Sequence, residues 1–334
     1  MGAGRHYISS IGKTGVSVIG DHQPMKSATK KTSSKKQPTP IRSCGCMEVH
    51  NRLLEEFPQF RFRQATLENS TRSMLMSGAV GRVGITTIPV VVHVVSKTAA
   101  ENISDAQIKS QIAVLNKDFR ATNPDKIKTP TVWKGLVTDT RIQFVLATKN
   151  PNGLPTTGIN RKTTTKASFG ADDSVKKVAT GGVAAWPTNK YLNIWVCTLS
   201  GSLLGYAQFP GGPAVTDGVV ILNRAFGTVG TAAAPFNLGR SATHEIGHYL
   251  NLRHIWGDTA DCSGTDFVAD TPNALHPNFG TPAFPHISCS NGPNGDMFVN
   301  YMDYVDDKAM VMFSAGQVAR MQATLDGPRS ALGV

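Results

Sequence analysis

The chain has 334 residues, of which 40% are hydrophobic, and carries a formal net charge of +11. Its length and apolar fraction are those of a soluble globular protein, and no apolar run approaches the length of a membrane-spanning helix. The charge is concentrated near the start: residues 1–41 carry +6 and residues 42–82 carry +2, which leaves about +3 for the remaining 252 residues. This distribution argues against a nucleic-acid-binding surface on the rest of the chain.

Residues 1–41 are rich in Ser, Thr, Lys, Gly and Pro and include the pairs Lys30-Lys31 and Lys35-Lys36. This composition predicts a disordered basic leader. A tail that binds a membrane surface or another polyanion is the alternative. No uninterrupted apolar stretch follows the first basic residue, so the sequence does not display a secretory signal.

A different composition begins at Arg42 and extends to residue 82. Residues 47–54 have the pattern of a short helix, and Cys44 and Cys46 precede it. Residues 61–82 hold four arginines among Ser, Thr and Gly, which predicts an exposed linker open to proteolysis. From the residues alone, the two cysteines could be incidental thiols in a flexible arm.

The third region, residues 83–334, begins with regular structure. Strongly apolar runs predict strands at residues 88–95, 141–147 and 191–197, and the apolar run at residues 219–222 leads towards a helix that starts near Leu238. Ser104 is a predicted N-cap for a helix over residues 105–119, and Ser314 with Gln317 predicts a capping box for a helix near the end of the chain. His93, inside the first apolar run, is interpreted as a structural residue.

Residues 203–210 precede a Gly-Pro loop and predict a short edge strand. An edge strand has free backbone groups that can pair with an extended peptide. An ordinary sheet edge without a ligand is an equal alternative from sequence alone.

Three histidines and one glutamate form a metal-binding pattern. His244 and His248 are four residues apart, so on a helix they lie about one turn apart on one face and can bind one ion. Glu245 can reach a water at that ion as a general base without being a ligand. His254 can return to the ion only if the chain turns, and Asn251 tolerates the positive φ of such a turn. The pattern predicts a three-histidine zinc site; a helix with surface histidines is the alternative.

The segment after His254 is dense in Gly, Pro, Asn and Asp, and Cys262 and Cys289 flank much of it. A disulfide between these two cysteines would restrict a long loop. Because the chain has five cysteines, at least one thiol stays unpaired in any scheme. The acidic residues of this segment, taken alone, indicate a solvated acidic loop.

Over residues 42–334 the chain resembles the pappalysin family of metzincin zinc metallopeptidases. The matching residues are the extended zinc motif, the His-Ile-Trp-Gly-Asp run at 254–258, Met302 within residues 300–304, and the tail at 306–313. Asn251 stands where most metzincins have glycine, a replacement that is known within this family.

The resemblance implies an α+β fold: a metzincin-like domain with a twisted mixed β-sheet, an active-site helix and a smaller irregular C-terminal subdomain. It implies that residues 42–82 are a prosegment whose cysteine binds the zinc of a latent form in place of water. Cys44 is the candidate because a glycine follows it, and the neighbouring Cys46 leaves the choice of sulfur open. Met302 is implied to form an apolar floor beneath the zinc ligands.

The resemblance also implies further site residues. It pairs Cys262 with Cys289, and it assigns structural calcium to Asp258, Asp266, the Ala269 carbonyl and Thr271. Tyr304 is implied to hydrogen-bond the oxyanion, with packing near Met302 as the alternative role. Asp307 is implied to bind arginine on the C-terminal side of the scissile bond, because a carboxylate pairs bidentately with guanidinium. Cleavage before Arg72 or Arg82 would then let the enzyme process itself.

Together these features predict a latent, secreted or extracytoplasmic zinc endopeptidase with one catalytic zinc and structural calcium. Its partners would be protein or peptide substrates rather than nucleic acid, and it would have no membrane span. A disulfide agrees with an oxidising compartment. Two other functions are considered: a non-catalytic, metal-stabilised binding protein, which would have no use for Glu245, Met302 and Tyr304 together, and a polyanion binder that acts through residues 1–41.

Overall fold

A computed structural model describes residue 15, residues 41–77, residue 82 and residues 84–333. The predicted leader therefore lies outside the described residues, except at residues 15 and 41. Residues Pro40–Val334 form one unit, which contains both the predicted prosegment and the predicted catalytic domain.

The described residues contain five α-helices and six β-strands. The helices are α1 Cys46–Glu56, α2 Pro58–Ser77, α3 Asp105–Phe119, α4 Arg240–Tyr249 and α5 Ala315–Asp326. The strands are β1 Thr86–Ser96, β2 Ile142–Leu146, β3 Ile159–Thr163, β4 Leu192–Cys197, β5 Gly205–Ala207 and β6 Val219–Leu222. Short 3-10 helices are Ala99–Glu101, Pro124–Lys128, Thr131–Leu136, Ser174–Lys176, Val178–Thr180, Ala214–Thr216 and Asn223–Ala225.

The strands form one open mixed sheet in the order β2-β1-β4-β6-β5. β2 pairs with the first half of β1 and β3 with the second half, both in parallel. Only β5 runs antiparallel, to β6, and it forms an edge of the sheet. The predicted strands and the predicted edge strand are therefore confirmed, as is the mixed-sheet fold class.

The centre of the sheet is buried. Every residue of β4 is buried, as are the last seven residues of β1, because β-branched parallel strands are covered on both faces. His93 is fully buried in β1, and its Nε2 lies 2.9 Å from the Asn193 Oδ1. Burial lowers the pKa of His93 to about 4, so it is neutral, as expected of a structural histidine.

Helices α3 and α4 pack against the sheet and against each other. The N-cap of α3 is the predicted one, since the Ser104 Oγ accepts from the Gln107 N–H at 3.1 Å. Helix α5 begins with the predicted capping box of Ser314 and Gln317. Between α4 and α5, residues 250–314 contain turns and isolated bridges but no helix or strand, which agrees with the predicted irregular C-terminal subdomain.

The expected exposed linker at residues 61–82 is wrong over most of its length, because residues 58–77 form helix α2. The buried residues of α2 recur at helical spacing: Phe60, Gln64, Leu67 and Thr71. Arg72 therefore lies inside a helix rather than in an extended segment. Arg82 donates from Nη2 to the Leu325 carbonyl at 2.7 Å, which attaches this end of the segment to the end of α5.

Among the residues that the structure describes, no helix combines the length and the apolar content that crossing a membrane requires.

Candidate active site

Helix α4 provides the rigid element of the site, and all ten of its residues are buried. A Cβ on Gly247 would come closer to the Met302 sulfur than real Cβ atoms come to any neighbour. Glycine therefore lets Met302, which is fully buried, lie directly against the helix that carries the first two histidines. This position is the one that the resemblance implies for an apolar floor.

The three histidines meet with their Nε2 atoms in a triangle. The Nε2 of His248 lies 3.1 Å from that of His244 and 3.0 Å from that of His254, and the third side measures 3.3 Å. Tetrahedral zinc with bonds of about 2.0–2.1 Å holds its nitrogens about 3.3 Å apart. The triangle therefore has the size of a zinc site.

The second nitrogen of each imidazole is held by an acceptor. The Nδ1 atoms of His244 and His248 lie 2.7 Å and 2.8 Å from the carbonyls of Tyr301 and Leu252. Because carbonyls only accept, these Nδ1 atoms carry the protons and the Nε2 lone pairs face the centre of the triangle, as a metal requires. Burial lowers the pKa of His244 to about 3, which keeps it in the neutral, metal-binding form.

His254 reaches the site because the chain reverses at Asn251. Asn251 has φ +70°, the positive value predicted for the turn. The His254 Nδ1 lies 2.5 Å from the Asp258 Oδ1. Burial alone would lower the pKa of His254, but the adjacent Asp258 raises it to about 9. Asp258 thus orients the third histidine.

Glu245 lies under the edge strand β5. A Cβ on Gly205 would meet the Glu245 Cγ at 2.8 Å, so glycine is needed for the strand to cross the carboxylate at this distance. Glu245 is 2% exposed, and burial together with the nearby Cys44 raises its pKa well above the ordinary value. A carboxylate with a raised pKa beside a metal-ligand set is suited to accept and return a proton.

The two cysteines of the predicted prosegment have different neighbours. Cys44 and the three histidines offer ligand atoms that all lie within 4.8 Å of one another, which makes a four-donor set for zinc. Burial opposes ionisation of Cys44, but the hydrogen bond from Cys46 and the adjacent His248 bring its pKa well below the ordinary value.

The Cys46 thiol donates to the Glu245 Oε2 at 2.9 Å, and its sulfur accepts the Ala207 N–H at 2.9 Å. Burial and the adjacent Cys44 raise the pKa of Cys46 well above its ordinary value, so it stays a thiol. The structure thus brings Cys44 to the histidines, and both cysteines reach the Glu245 Oε2, Cys44 at 3.3 Å and Cys46 at 2.9 Å.

Arg42 of the predicted prosegment lies against Asp307, and both side chains are almost fully buried. The Arg42 Nη2 donates to the Asp307 Oδ1 at 2.6 Å, its Nη1 to the Ser241 Oγ at 3.0 Å, and its Nε to the Val305 carbonyl at 3.2 Å. The guanidinium also lies 5.0 Å from the centre of the Phe236 ring. Asp307 is therefore a carboxylate in a pocket that holds a whole guanidinium.

Tyr304 is half-buried beside the histidines. Its ring centre lies 4.9 Å from that of His254 and 5.7 Å from that of His244, and it also packs on Trp256 at 4.8 Å. This position is compatible with both predicted roles, packing and hydrogen bonding to a substrate.

The irregular subdomain contains the disulfide that the resemblance implies, between Cys262 and Cys289. Cys197 is buried as a free thiol in β4. The Thr271 hydroxyl donates to the Asp266 Oδ2 at 2.7 Å, and burial raises the pKa of Asp266 to about 7. Calcium at Asp258, Asp266, Ala269 and Thr271 stays a prediction.

Comparison with known proteins agrees with this site. The family model for peptidase M43, described as pregnancy-associated plasma protein-A, matches residues 173–326. An extracellular metalloprotease of Pyricularia oryzae is 33% identical over 247 residues, which cover 71% of this chain and 74% of that protein. The chain belongs to the M43 metallopeptidase family. The resemblance to the pappalysins is thereby confirmed, and this M43 chain is a zinc metalloprotease.

Solved structures of the same family match the fold. A mutant of promirolysin from Tannerella forsythia has a TM-score of 0.81 and 45% identity, covering 87% of this M43 chain and 97% of that chain. Mature mirolysin from the same organism, in complex with a cleaved peptide, has a TM-score of 0.74 and 50% identity, covering 76% of this chain and 97% of that chain. The metzincin-like fold class is therefore confirmed.

Sequence reasoning missed several residues of this M43 site. Arg42 was identified only as the residue where the composition changes, although it lies two positions before the candidate cysteine. The contact of Cys46 with Glu245 joins residues 199 positions apart, and no local pattern predicts it. Gly205 and Gly247 were not singled out, but a glycine inside a helix is unfavourable, and that was the signal for a close packing contact at Gly247.

Proposed function

We propose that this chain is the latent precursor of a secreted zinc endopeptidase that cleaves on the N-terminal side of arginine. The observation that carries the proposal is the ion pair of Arg42 with Asp307, two residues before the cysteine that faces the three histidines. Here the prosegment inhibits the enzyme by filling its arginine pocket and its metal centre at once.

The contacts of Arg42 favour arginine over lysine in this pocket. Three nitrogens of one guanidinium reach Asp307, Ser241 and Val305, and an ammonium group cannot span these acceptors in one plane. Asp307 is itself held in place, since its Oδ2 accepts the Leu238 N–H at 2.7 Å. A fixed, buried carboxylate discriminates strongly because a substrate without a cation leaves it unpaired.

Latency is divided between the two cysteines in this proposal. Cys44 takes the fourth position of the metal site, where a tethered thiolate acts at high effective concentration. Cys46 occupies the general base and one backbone donor of the edge strand. The match to promirolysin covers more of this chain than the match to mature mirolysin, which supports a prosegment in residues 42–82.

The proposed reaction uses the residues of the site as follows. His244, His248 and His254 would hold zinc, which when bound supplies a Lewis acid for the scissile carbonyl and for water. Once the prosegment has left, Glu245 takes a proton from the attacking water and delivers it to the leaving amine. The Tyr304 hydroxyl donates to the developing oxyanion.

Export from the cytoplasm is supported by two observations. Curated relatives such as that of Pyricularia oryzae are named extracellular metalloproteases. The chain also contains the Cys262–Cys289 disulfide, and disulfides persist mainly in oxidising compartments.

The test is a digest of a proteome-derived peptide library by the processed enzyme, with the new termini identified by mass spectrometry. We expect arginine to dominate the position after the scissile bond. Asp307→Asn should reduce kcat/KM on arginine substrates by about a hundredfold. Asp306→Asn, the adjacent carboxylate, is the matched control, and Glu245→Ala or a chelator should abolish cleavage.

A digest without arginine bias, or one whose bias survives Asp307→Asn, would contradict the specificity. If the zinc-loaded chain without residues 1–81 cleaves nothing, the alternative of a metal-stabilised binding protein replaces the protease proposal.

A further inference from the structure

A second arginine of the prosegment is bound by a second buried aspartate. The Arg52 Nη2 donates to the Asp173 Oδ2 at 2.5 Å. Asp173 is 1% exposed, whereas the Arg52 side chain is 26% exposed. The Asp173 Oδ1 lies 2.8 Å from the fully buried Nζ of Lys176. One oxygen of Asp173 thus has a partner within the predicted catalytic domain, and the other oxygen is paired with the prosegment.

The prosegment runs alongside the edge strand. The Ser43 carbonyl accepts the Leu204 N–H, the Gly45 N–H donates to the Gly205 carbonyl, and the Cys46 sulfur accepts the Ala207 N–H. The prosegment from Arg42 to Cys46 therefore runs parallel to the edge strand from residue 204 to residue 207.

Asp173 lies beyond Cys44 on this path, on the side away from Arg42. Gly45 packs against Ala171, since a Cβ there would meet the Ala171 Cβ at 3.1 Å, and α1 then carries Arg52 to Asp173. Lys176, the fixed partner of Asp173, lies 4.9 Å from the centre of the Tyr206 ring in β5. From the metal site, the prosegment therefore leads to the Asp307 pocket in its N-terminal direction and to the Asp173 carboxylate in its C-terminal direction.

These positions determine which part of a substrate each aspartate can meet. If the arginine after the scissile bond enters the Asp307 pocket, the residues before the scissile bond extend in the other direction along β5. That direction leads to Asp173. The order of the sites along the edge strand alone sets this correspondence, whichever way the substrate backbone runs.

Removal of the prosegment changes Asp173 specifically. Its Oδ2 loses Arg52, its only hydrogen-bond donor among the described residues, while its Oδ1 keeps Lys176. The backbone of Asp173 has φ +60°, a conformation that costs energy for a residue other than glycine and is often found at functional sites. The Oδ2 is then a fixed carboxylate oxygen without a donor.

We propose that Asp173 forms a second acidic subsite, which binds a basic side chain on the N-terminal side of the scissile bond. The enzyme then recognises a pair of basic residues that flank the bond, and Arg52 occupies the second subsite in the latent form as Arg42 occupies the first. This inference rests on the proposed specificity of Asp307.

The test uses the processed enzyme and peptides with arginine fixed after the scissile bond. Each of the three preceding positions is varied among arginine, glutamine and glutamate. We expect one position at which kcat/KM is about tenfold higher for arginine than for glutamate. Asp173→Asn should remove that difference and leave the preference for arginine after the scissile bond intact.

Two further variants separate binding from folding and from distant charge. Asp173→Asn leaves the buried Lys176 without its carboxylate partner, although the Thr216 carbonyl still accepts from its Nζ. The double variant Asp173→Asn/Lys176→Gln removes both charges and should show the same loss of discrimination with a melting temperature closer to that of the parent. Asp172→Asn removes an exposed carboxylate one residue away and should keep the discrimination.

A flat profile at all three positions in the parent enzyme would overturn the subsite, as would a profile unchanged by the two Asp173 variants. If Asp172→Asn lost the discrimination equally, the preference would come from the general negative charge of this region, and the proposed subsite would be overturned as well. Failure of the proposed function is distinguishable, because it would appear as lost preference for arginine after the scissile bond in the parent enzyme.

Discussion

Two parts of the proposed prosegment contact the rest of the chain in different ways. The inner segment, residues 42–46, is polar but buried: Arg42 is 2% exposed and Cys46 is fully buried, and both contact residues of the proposed active site. In α2, the outer helix, only four of twenty residues are buried, and Phe62 and Met76 are exposed to 74% and 78%. Under the proposed latency, the inner segment would inhibit the enzyme and the outer helix would mainly keep that segment nearby.

The largest effect is expected from Cys44→Ala. This change removes the fourth donor from the zinc site while Arg42 still fills its pocket. We expect the activity of the full-length chain on an arginine peptide to rise by about a hundredfold or more, because the tethered thiolate no longer occupies the metal. The measurement is the initial rate before any processing appears on a gel.

The control for Cys44→Ala is Cys197→Ala, since Cys197 is a buried free thiol away from the cleft. An unprocessed Cys44→Ala chain that remains as inactive as the parent would mean that Arg42 and Cys46 suffice for latency. The inner segment would then inhibit by filling the cleft rather than by binding zinc.

The active-site helix and the turn that follows it could be predicted from the sequence. His244, Glu245 and His248 lie within one helical turn, so their spacing alone indicated their arrangement. Asn251 was identifiable because few side chains accept a positive φ, and the structure has φ +70° there.

Contacts between the prosegment and the rest of the chain were beyond such reasoning. The pair Arg42 and Asp307 joins residues 265 positions apart, and only the packed fold brings them together. Helix α2 was misjudged for a different reason: its arginines, serines and threonines resemble linker composition, while the spacing of Phe60, Gln64 and Leu67 was the signal that was overlooked. Composition is a weaker guide than periodicity for a helix with one narrow buried face.

A smaller effect is expected at Cys46. Cys46→Ala leaves the Ala207 N–H without its acceptor and removes the shorter of the two thiol contacts of Glu245, the other being Cys44 at 3.3 Å. We expect about tenfold higher basal activity of the full-length chain, because a buried carboxylate and a backbone donor become free to bind water and substrate. Cys46→Ser keeps a donor and an acceptor of similar size and should restore most of the latency. Equal activity of the alanine and serine variants would show that volume, not hydrogen bonding, is what matters at this position.

His50 makes the attachment of α1 depend on pH. It is buried between Phe60 and Phe209, with ring centres at 5.6 Å and 5.2 Å, and its Nδ1 has no hydrogen-bond partner among the described residues. Burial, with the charge of Arg253, lowers the pKa of His50 from 6.5 to about 4. In the released prosegment, His50 therefore binds a proton below pH 6.5. In the docked prosegment it binds one only below about pH 4. Docking is strongest above pH 6.5 and weakens as the pH falls towards 4.

Hydrogen exchange of residues 46–56 in the latent chain measures this dependence. Protection, corrected for the intrinsic exchange rate, should fall between pH 7 and pH 5 in the parent chain. His50→Phe keeps an aromatic ring between the two phenylalanines but cannot bind a proton, so its protection should stay level. An identical fall in both chains would assign the pH dependence to other groups.

The smallest effect is expected from the outer helix. The Glu68 Oε1 accepts from the Arg320 Nη2 at 2.7 Å and from the Asn251 Nδ2 at 3.3 Å, which attaches α2 to α5 and to the turn after α4. Glu68→Gln keeps an acceptor but removes the charge, and Arg320 retains the Asn251 carbonyl. We expect a melting temperature lower by about 2 °C, equivalent to about 1 kcal/mol, and unchanged latency. The matched control is Glu55→Gln, on an exposed position of α1. If Glu68→Gln instead released as much activity as Cys44→Ala, the outer helix would be an essential part of the inhibitor, because a tether that only raises local concentration tolerates the loss of one anchor.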